Sequence, residues 1–344
     1  MAVIKTSKLL TIDRHIVEQE GLHPAATGEF TQLLHDLTFA FKLISSNVRR
    51  AGLNDILGLT ENVNVHGERV RRLDLYANEV INKTMSQGGH ICVMASEESV
   101  DLIRISNDNP KGKYVLVFDP LDGSGNIDVS ITIGSIFGIY KRRDPARKDG
   151  GNLEDVLQPG YNLIAAGYVL YGSCTVLVYT TGNGVNVFTY DPLIGEFFLT
   201  HKDITIPHYG SSYSCNEGNN LKWSEEVRNY IHYIKVPDKK RKTPYNQRYV
   251  ASAVADIHRI IHYGGIYLYP GEKDKPEGKI RLVYEANPLS YIIEKAGGRS
   301  TTGKQSILGV EPKSIHQTTP FFVGSPENIE ELLMFMEGRP PHGF

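Results

Sequence analysis

Cysteine is scarce: Cys92, Cys174 and Cys215 are the only three in 344 residues. They are odd in number, widely spaced and form no Cys-x-x-Cys pair, so neither a disulfide framework nor a zinc site of ordinary spacing is on offer. No apolar run approaches the roughly 20 residues a membrane-spanning helix needs. The N-terminus lacks the charged start, apolar stretch and small-residue cleavage site of a secretory signal. Charge of one sign is also missing: 37 basic residues face 39 acidic ones, a formal net charge of -2. A nucleic-acid binder usually shows a basic excess, so none is expected here. These absences leave a soluble chain of a reducing compartment, cytoplasmic by expectation. Lys8-Leu9 followed by His15-Ile16 is loosely similar to an N-terminal peroxisome-type import signal, although an ordinary surface helix start is the favoured reading. The final Pro-His-Gly-Phe is not a Ser-Lys-Leu address.

What is present suggests about two domains or one large α/β unit, long enough to bury a core without staples. Phe30, Leu33, Leu34, Leu37, Phe41, Ile44 and Val48 follow helical spacing, with Gly52 placed to stop the helix. Residues 52–67 are polar and Asn-rich and read as a mobile loop. A second helix presents Val70, Leu73, Ala77, Val80 and Ile81 on one face. From Ile91 the period changes to short apolar runs bounded by turn residues, as in buried strands. Strands are expected at 91–94, 114–118, 127–132, 136–140, 165–170, 175–179, 185–190 and 196–199. Beyond 200 the pattern is mixed, with helices at 223–234 and 250–263 and a strand at 280–284. Asn287-Pro288 and Ser325-Pro326 open two more helices. A boundary near 200 is expected. The run Lys239-Lys240-Arg241-Lys242 reads as a solvated loop rather than an anion patch.

Three apolar runs end in carboxylates: Ile91 to Glu97 and Glu98, Tyr114 to Asp119, and Ile280 to Glu285. In α/β sheets ligands collect at strand ends. Acids gathered there repel one another and resist desolvation unless a cation joins them. Oxygen-only ligation points to Mg²⁺ or Mn²⁺ rather than zinc or copper. Taken alone, Glu97 or Glu285 reads as a solvated strand end; the set reads as a metal site. The second run continues Asp119-Pro120-Leu121-Asp122-Gly123-Ser124-Gly125-Asn126. Pro120 is expected to stop the strand, letting Asp119 and Asp122 face one site across a turn. The backbone N–H groups that follow can cradle a phosphate. Two acids beside such a cradle suit a metal bridged to a phosphoryl group.

Asp119–Asn126 resembles the metal motif of the fructose bisphosphatase and inositol monophosphatase superfamily. Other stretches narrow it: Thr27-Gly28-Glu29, Ser96-Glu97-Glu98, Tyr213 to Gly218, Arg248-Tyr249, Val254 to Arg259, Tyr263 to Pro270 and Glu285 to Pro288 resemble the class I fructose-1,6-bisphosphatase family, in consistent order over roughly 25–337. The resemblance implies a layered αβαβα sandwich of the sugar-phosphatase fold, with residues 1–200 as an N-terminal regulatory domain and 201–344 as a catalytic one. It implies hydrolysis of fructose 1,6-bisphosphate, placed in gluconeogenesis, with two or three metal ions. Glu97, Glu98, Asp119, Asp122, Glu285 and the Leu121 carbonyl are the implied ligands. Asp74 and Glu98 would orient and deprotonate water, with Glu68 delivered by the loop over 52–72. Gly123 and Ser124 would hold the 1-phosphate. Asn216, Tyr249, Tyr269 and Lys279 would bind the sugar and its 6-phosphate, with Arg248 from a neighbouring subunit of a homotetramer and Arg281 near the metal end. AMP would bind at Thr27, Gly28, Glu29, Phe30 and Thr31, with Lys113, Tyr114 and Lys141.

The sequence departs from the family pattern in places. Gly125 replaces a frequent Ser and Glu68 a common Asp. Asn219 stands where a Tyr usually meets the 6-phosphate, and Lys141 where an Arg usually meets AMP. Three rivals remain: a sedoheptulose-1,7-bisphosphatase with the same machinery, a catalytically silent sugar-phosphate or AMP sensor, and a scaffolding partner that uses the basic loop over 239–242. A poised base at Asp74 speaks against the sensor.

Overall fold

The computed structural model of the protein describes residues 9–21, 28–53, 58–63, 69–105, 112–144, 146–147, 150–239 and 242–341. Lys8, Thr27, Glu68, Lys240 and Arg241 lie outside them.

Alternation along single strands sets the architecture. Helices α1 (Ile12–Glu20), α2 (Glu29–Val48) and α3 (Arg72–Gln87) precede the main sheet, with the antiparallel pair β1 (Leu59–Val63) and β2 (Arg69–Arg71) between the last two. The main sheet takes β3 (Ile91–Ser96), β4 (Ile103–Arg104), β5 (Tyr114–Asp122), β6 (Ile133–Lys141), β7 (Leu163–Tyr171), β8 (Thr175–Thr180), β9 (Asn186–Asp191) and β10 (Glu196–His201), with short α4 (Leu153–Val156) between β6 and β7. Its spatial order is β10-β9-β8-β7-β6-β5-β3-β4. The β3–β5 pair is parallel and the others antiparallel.

The second sheet is built from β11 (Ser212–Ser214), β12 (Asn246–Gln247), β13 (Ile266–Tyr269), β15 (Arg299–Thr301) and β17 (Phe321–Gly324), in the order β12-β11-β13-β17-β15. The pair β14 (Ile280–Arg281) and β16 (Thr318–Thr319) stands apart from it. Helices α5 (Glu225–Lys235), α6 (Ala253–Tyr263), α7 (Asn287–Lys295) and α8 (Pro326–Met336) complete the chain.

On β5, Tyr114, Leu116 and Phe118 join the core under α1–α3, while Val115 and Val117 join a second core with α6 and α7. The second sheet repeats the device: Tyr267 faces that same middle core, and Ile266 and Leu268 face α5 and α8. Three apolar cores, the middle one wrapping both faces of the α6 and α7 layer, join five layers into the αβαβα sandwich. Each fully buried Leu, Val or Phe contributes about 1.5–3 kcal/mol. Among the described residues no helix is long and apolar enough to cross a membrane.

Some boundaries move. Residues expected as a strand over 127–132 instead form a 3-10 helix, Ser124–Val129. Part of the expected loop over 52–67 is strand β1. Helix α2 ends at Val48, ahead of Gly52, and α6 starts at Ala253 rather than 250. The strand expected over 280–284 stops at Arg281 and gives way to a π-helical turn, Leu282–Ala286, which shortens the strand but keeps the apolar residues of the run buried. Pro120 does not stop β5, because it sits at an irregularity where no ladder hydrogen bond is required of it.

Candidate active site

That irregularity builds the centre of the site. Asp119 pairs with Ile136 and Asp122 with Gly134, so β5 spends three steps where β6 spends two. In a regular strand residues three apart face opposite ways. The extra residue re-aims one of them, and both acids reach the same place. Gly134 is required there, since a Cβ would stand 2.6 Å from Val254 Cγ1 and 2.7 Å from the Val169 carbonyl. The third acid, Glu285, comes from the π-helical turn, a form often found at functional sites. Carboxylate oxygens of Asp119, Asp122 and Glu285 all lie within 4.8 Å of one another, and all three side chains are buried.

Each acid has different support. Asp122 lies under the N-terminus of α6: the Ser252 hydroxyl donates to its Oδ2 at 2.6 Å, the Val254 N–H to Oδ2 at 2.9 Å and the Ala253 N–H to Oδ1 at 3.2 Å. The positive end of a helix favours a negative charge there. Asp119 accepts from the Leu121 N–H at 3.0 Å, and Leu121 is buried between the two acids. Glu285 accepts the Arg281 N–H at 2.7 Å. The Arg281 guanidinium bonds Glu97 at 2.7 Å and approaches Glu285 at 3.8 Å.

These partners do not balance the cluster. Burial, then Glu97, Glu285 and Asp122, hold the Asp119 carboxyl well above the usual carboxylate range. Burial also raises Asp122 despite its three donors, and pushes Glu285 up to about 8 even with Arg281 opposing the rise. Two like charges 4 Å apart at an effective dielectric of 20 repel by about 4 kcal/mol. The donor set is oxygen only and its excess charge negative, which fits a hard divalent cation. Of the expected ligands, the structure gathers Asp119, Asp122 and Glu285. Glu97 borders them through Asp119 and Arg281. Glu98, half-buried just after β3, stands outside the cluster of three.

Asp74 occupies the first turn of α3, where its Oδ2 accepts the Arg71 N–H at 3.0 Å. Its Oδ1 is buried with no hydrogen-bond partner among the described residues. Burial above all, with a further push from Glu97, raises its carboxyl to about 7. A buried acid titrating near neutrality suits a general base. The Ser96 hydroxyl donates to Asn78 Oδ1 of α3 at 2.7 Å and accepts the Glu98 N–H at 3.3 Å, tying the end of β3 to the helix that carries Asp74.

Gly123 takes φ 76° at the start of the 3-10 helix, and any Cβ would lie 2.8 Å from Ser252 Cβ. Ser124 follows half-buried. Asn126 Nδ2 donates to the Val250 carbonyl at 2.9 Å, joining this turn to the chain that enters α6. Tyr249 is half-buried beside Tyr269, and burial with that neighbour pushes its hydroxyl up to about 12. Asn216 is exposed, its side chain accepting from the Gly218 N–H at 3.2 Å. Arg248 is exposed and bonds the Gln247 carbonyl at 2.8 Å. Lys279 meets Glu272 at 3.1 Å.

A separate cavity of about 420 Å³ is lined by Glu20, Phe30, Thr31, Leu34, Tyr114 and Lys141, among others. Gly28 caps α2 at φ 76°, and Glu29 pairs with Lys113 at 2.7 Å. The Thr31 hydroxyl donates to Glu20 at 2.6 Å, and the Phe30 and Tyr114 rings stand 5.4 Å apart. Four of the expected nucleotide residues, Phe30, Thr31, Tyr114 and Lys141, thus line this cavity; Gly28, Glu29 and Lys113 neighbour them in the chain.

Sequence reasoning missed Ser252, although a Ser before an apolar helical run is an N-cap signal. It also missed Asp128, which bonds Arg71 across the site's edge, and Asp256, whose carboxylate accepts the Val250 N–H at 3.0 Å. No local pattern marks Asp128, and Asp256 lies within the Val254 to Arg259 stretch without a role of its own there.

The chain matches the family described as Fructose-1-6-bisphosphatase, N-terminal domain, over residues 10–202 and Fructose-1-6-bisphosphatase, C-terminal domain, over 206–337. It is 51% identical to Fructose-1,6-bisphosphatase class 1 of Chloroherpeton thalassium, over 96% of this chain and 94% of that one. It is 50% identical to the protein of that name from Chlorobium phaeobacteroides (strain BS1), over 97% and 99%. The crystal structure of Leishmania major fructose-1,6-bisphosphatase in holo form matches with a TM-score of 0.88 at 38% identity, over 96% of this chain and 99% of that one. With both halves matched and half of all positions identical, the chain belongs to the class 1 fructose-1,6-bisphosphatase family.

Proposed function

We propose that this chain hydrolyses the 1-phosphate of fructose 1,6-bisphosphate, releasing fructose 6-phosphate and inorganic phosphate. The buried cluster of Asp119, Asp122 and Glu285 within 4.8 Å carries the proposal, since its charge calls for a bound cation. With Glu97, Glu98 and the Leu121 carbonyl as further ligands, it would hold two or three Mg²⁺ ions, or Mn²⁺ in their place. Such ions supply charge neutralisation for the phosphoryl oxygens and a water acidic enough to ionise near neutral pH.

The chain's own residues do the rest. Asp74 takes the proton of the attacking water at its unpartnered Oδ1, with Glu98 orienting that water and Glu68 joining from the preceding segment. Backbone N–H groups at Gly123 and Ser124 hold the 1-phosphate in line, where positioning and charge dominate the barrier. Asn216, Tyr249, Tyr269 and Lys279 fix the sugar and its 6-phosphate, with Arg281 near the metal end. Arg248, exposed in the single chain, serves a neighbouring subunit of a homotetramer. In the same reading the chain divides near residue 200 into a regulatory and a catalytic part. AMP occupies the 420 Å³ cavity and inhibits from there, its phosphate at the α2 N-terminus with Lys113 and Lys141.

The test is phosphate release from fructose 1,6-bisphosphate with Mg²⁺, with chelator and with AMP. Turnover that needs Mg²⁺ and falls with AMP is expected; metal-independent turnover, or none, overturns the reading. Sedoheptulose 1,7-bisphosphate run under identical conditions separates the nearest rival.

A further inference from the structure

Beside the distal half of the site lies an ion cluster with an unusual distribution of exposure. The Glu272 carboxylate is 8% exposed, yet it meets two open ammonium groups: Lys279 at 3.1 Å, 39% exposed, and Lys222 at 3.6 Å, 53% exposed. The lysines come from different segments. Lys279 directly precedes β14, while Lys222 ends the 3-10 turn Glu217–Lys222 that Asn216 caps. Backbone bonds clamp these segments together. The Lys273 N–H donates to the Lys222 carbonyl at 2.8 Å, and Glu272 and Lys275 exchange both N–H bonds at 3.0 Å. Lys273 Nζ adds a bond to the Leu221 carbonyl at 3.2 Å.

Two ammonium groups on one buried carboxylate leave a positive excess, and it faces solvent. An anion can therefore add to the outer side of both lysines while Glu272 stays in place below. A phosphate suits such a pair, because its oxygens can accept from two ammonium donors at once. The location fits as well. Lys279 and Arg281 are two residues apart, about 7 Å at strand spacing, and Arg281 bonds Glu97 at the acid cluster. Lys279 thus lies on the chain segment that leads directly to Arg281 beside the acids.

We propose that Lys222 is a second cation for the distal phosphate of the substrate, set beside Lys279 by the buried Glu272 carboxylate, which is a positioning residue. Lys222 takes this role only if the chain is the bisphosphatase proposed above.

Steady-state kinetics with fructose 1,6-bisphosphate and with fructose 1-phosphate test it, together with calorimetric binding of fructose 6-phosphate. Wild-type turnover of the bisphosphate checks the underlying activity by itself. Lys222→Met is expected to raise KM for the bisphosphate about tenfold while kcat stays within about twofold. Its loss in kcat/KM should be at least fivefold greater for the bisphosphate than for fructose 1-phosphate, which lacks the distal group. Fructose 6-phosphate should bind about tenfold more weakly, a readout that needs no turnover. Lys222→Arg should recover most of both losses, and Lys275→Met, an exposed lysine of the same turn, should lose nothing. Equal losses on both sugars, or unchanged fructose 6-phosphate binding in Lys222→Met, overturns the role of Lys222. In a Glu272→Gln background the effect of Lys222→Met should shrink below threefold; full additivity overturns the positioning role of Glu272.

Discussion

At the acid end of the site three buried carboxylates lie within 4.8 Å of one another, and the charge in excess is negative. At the lysine end one buried carboxylate underlies two exposed ammonium groups, and the excess is positive. The first cluster is incomplete as protein and needs a cation to settle it. The second is settled in its own right and holds charge in reserve for a ligand. Burial of the excess charge makes the difference: desolvation penalises it at one end and hardly touches it at the other.

Breaking the acid end should have the largest effect. Asp122→Asn is expected to lower kcat by at least about 10³, roughly 4 kcal/mol, while circular dichroism stays native because the amide still fills the space under α6. Near-normal turnover in that variant would remove the case for a metal. Next comes Asp74→Asn, with a loss of roughly 10²–10⁴ if it is the general base. Because burial lifts the Asp74 carboxyl to about 7, wild-type kcat/KM should rise with pH toward neutrality as the base ionises. Asp74→Asn should flatten that limb; an unchanged profile assigns the base elsewhere.

The contrast also predicts opposite signs in stability. In chelator, Asp119→Asn removes a repelled buried charge and should raise the unfolding free energy by about 1–2 kcal/mol. Glu272→Gln removes a charge paired with two lysines and should lower it by about 1 kcal/mol. Urea titrations read both, and two changes of one sign would erase the distinction between the ends.

The smallest effect lies away from both ends. His258 on α6 bonds the Tyr168 hydroxyl at 2.9 Å, and burial, then His262 and His201, lower its imidazole to about 4. Its folded pKa is depressed, so its contribution is present above about pH 6.5 and is lost as pH falls toward 4. The stability gap between wild type and His258→Gln should narrow by about 1 kcal/mol between pH 7 and pH 5.5. A constant gap would show that His258 does not titrate there.

Much of this was legible in sequence because it is local. The period of 3.6 from Phe30 to Val48 marks α2, and the run from Tyr114 to Phe118 marks β5, since each element writes its own pattern. Asp119, Asp122 and Glu285 could be singled out as acids ending apolar runs. How they meet could not, because it depends on a one-residue excess of β5 over β6 and on a π-helical turn that a strand reading hides. Ser252 is 130 positions from Asp122, and Glu272 is 50 from Lys222, so pairing across such intervals leaves no local trace.

One consequence follows from where the acids originate. Asp119 and Asp122 come from the first half of the chain, while Glu285 and the Ser252 hydroxyl beneath Asp122 come from the second. Severed near residue 204 and co-expressed, the two fragments should recombine through the shared middle core. Their affinity should rise with divalent ion concentration, with the same cations that serve turnover acting as a fastener between separate polypeptides.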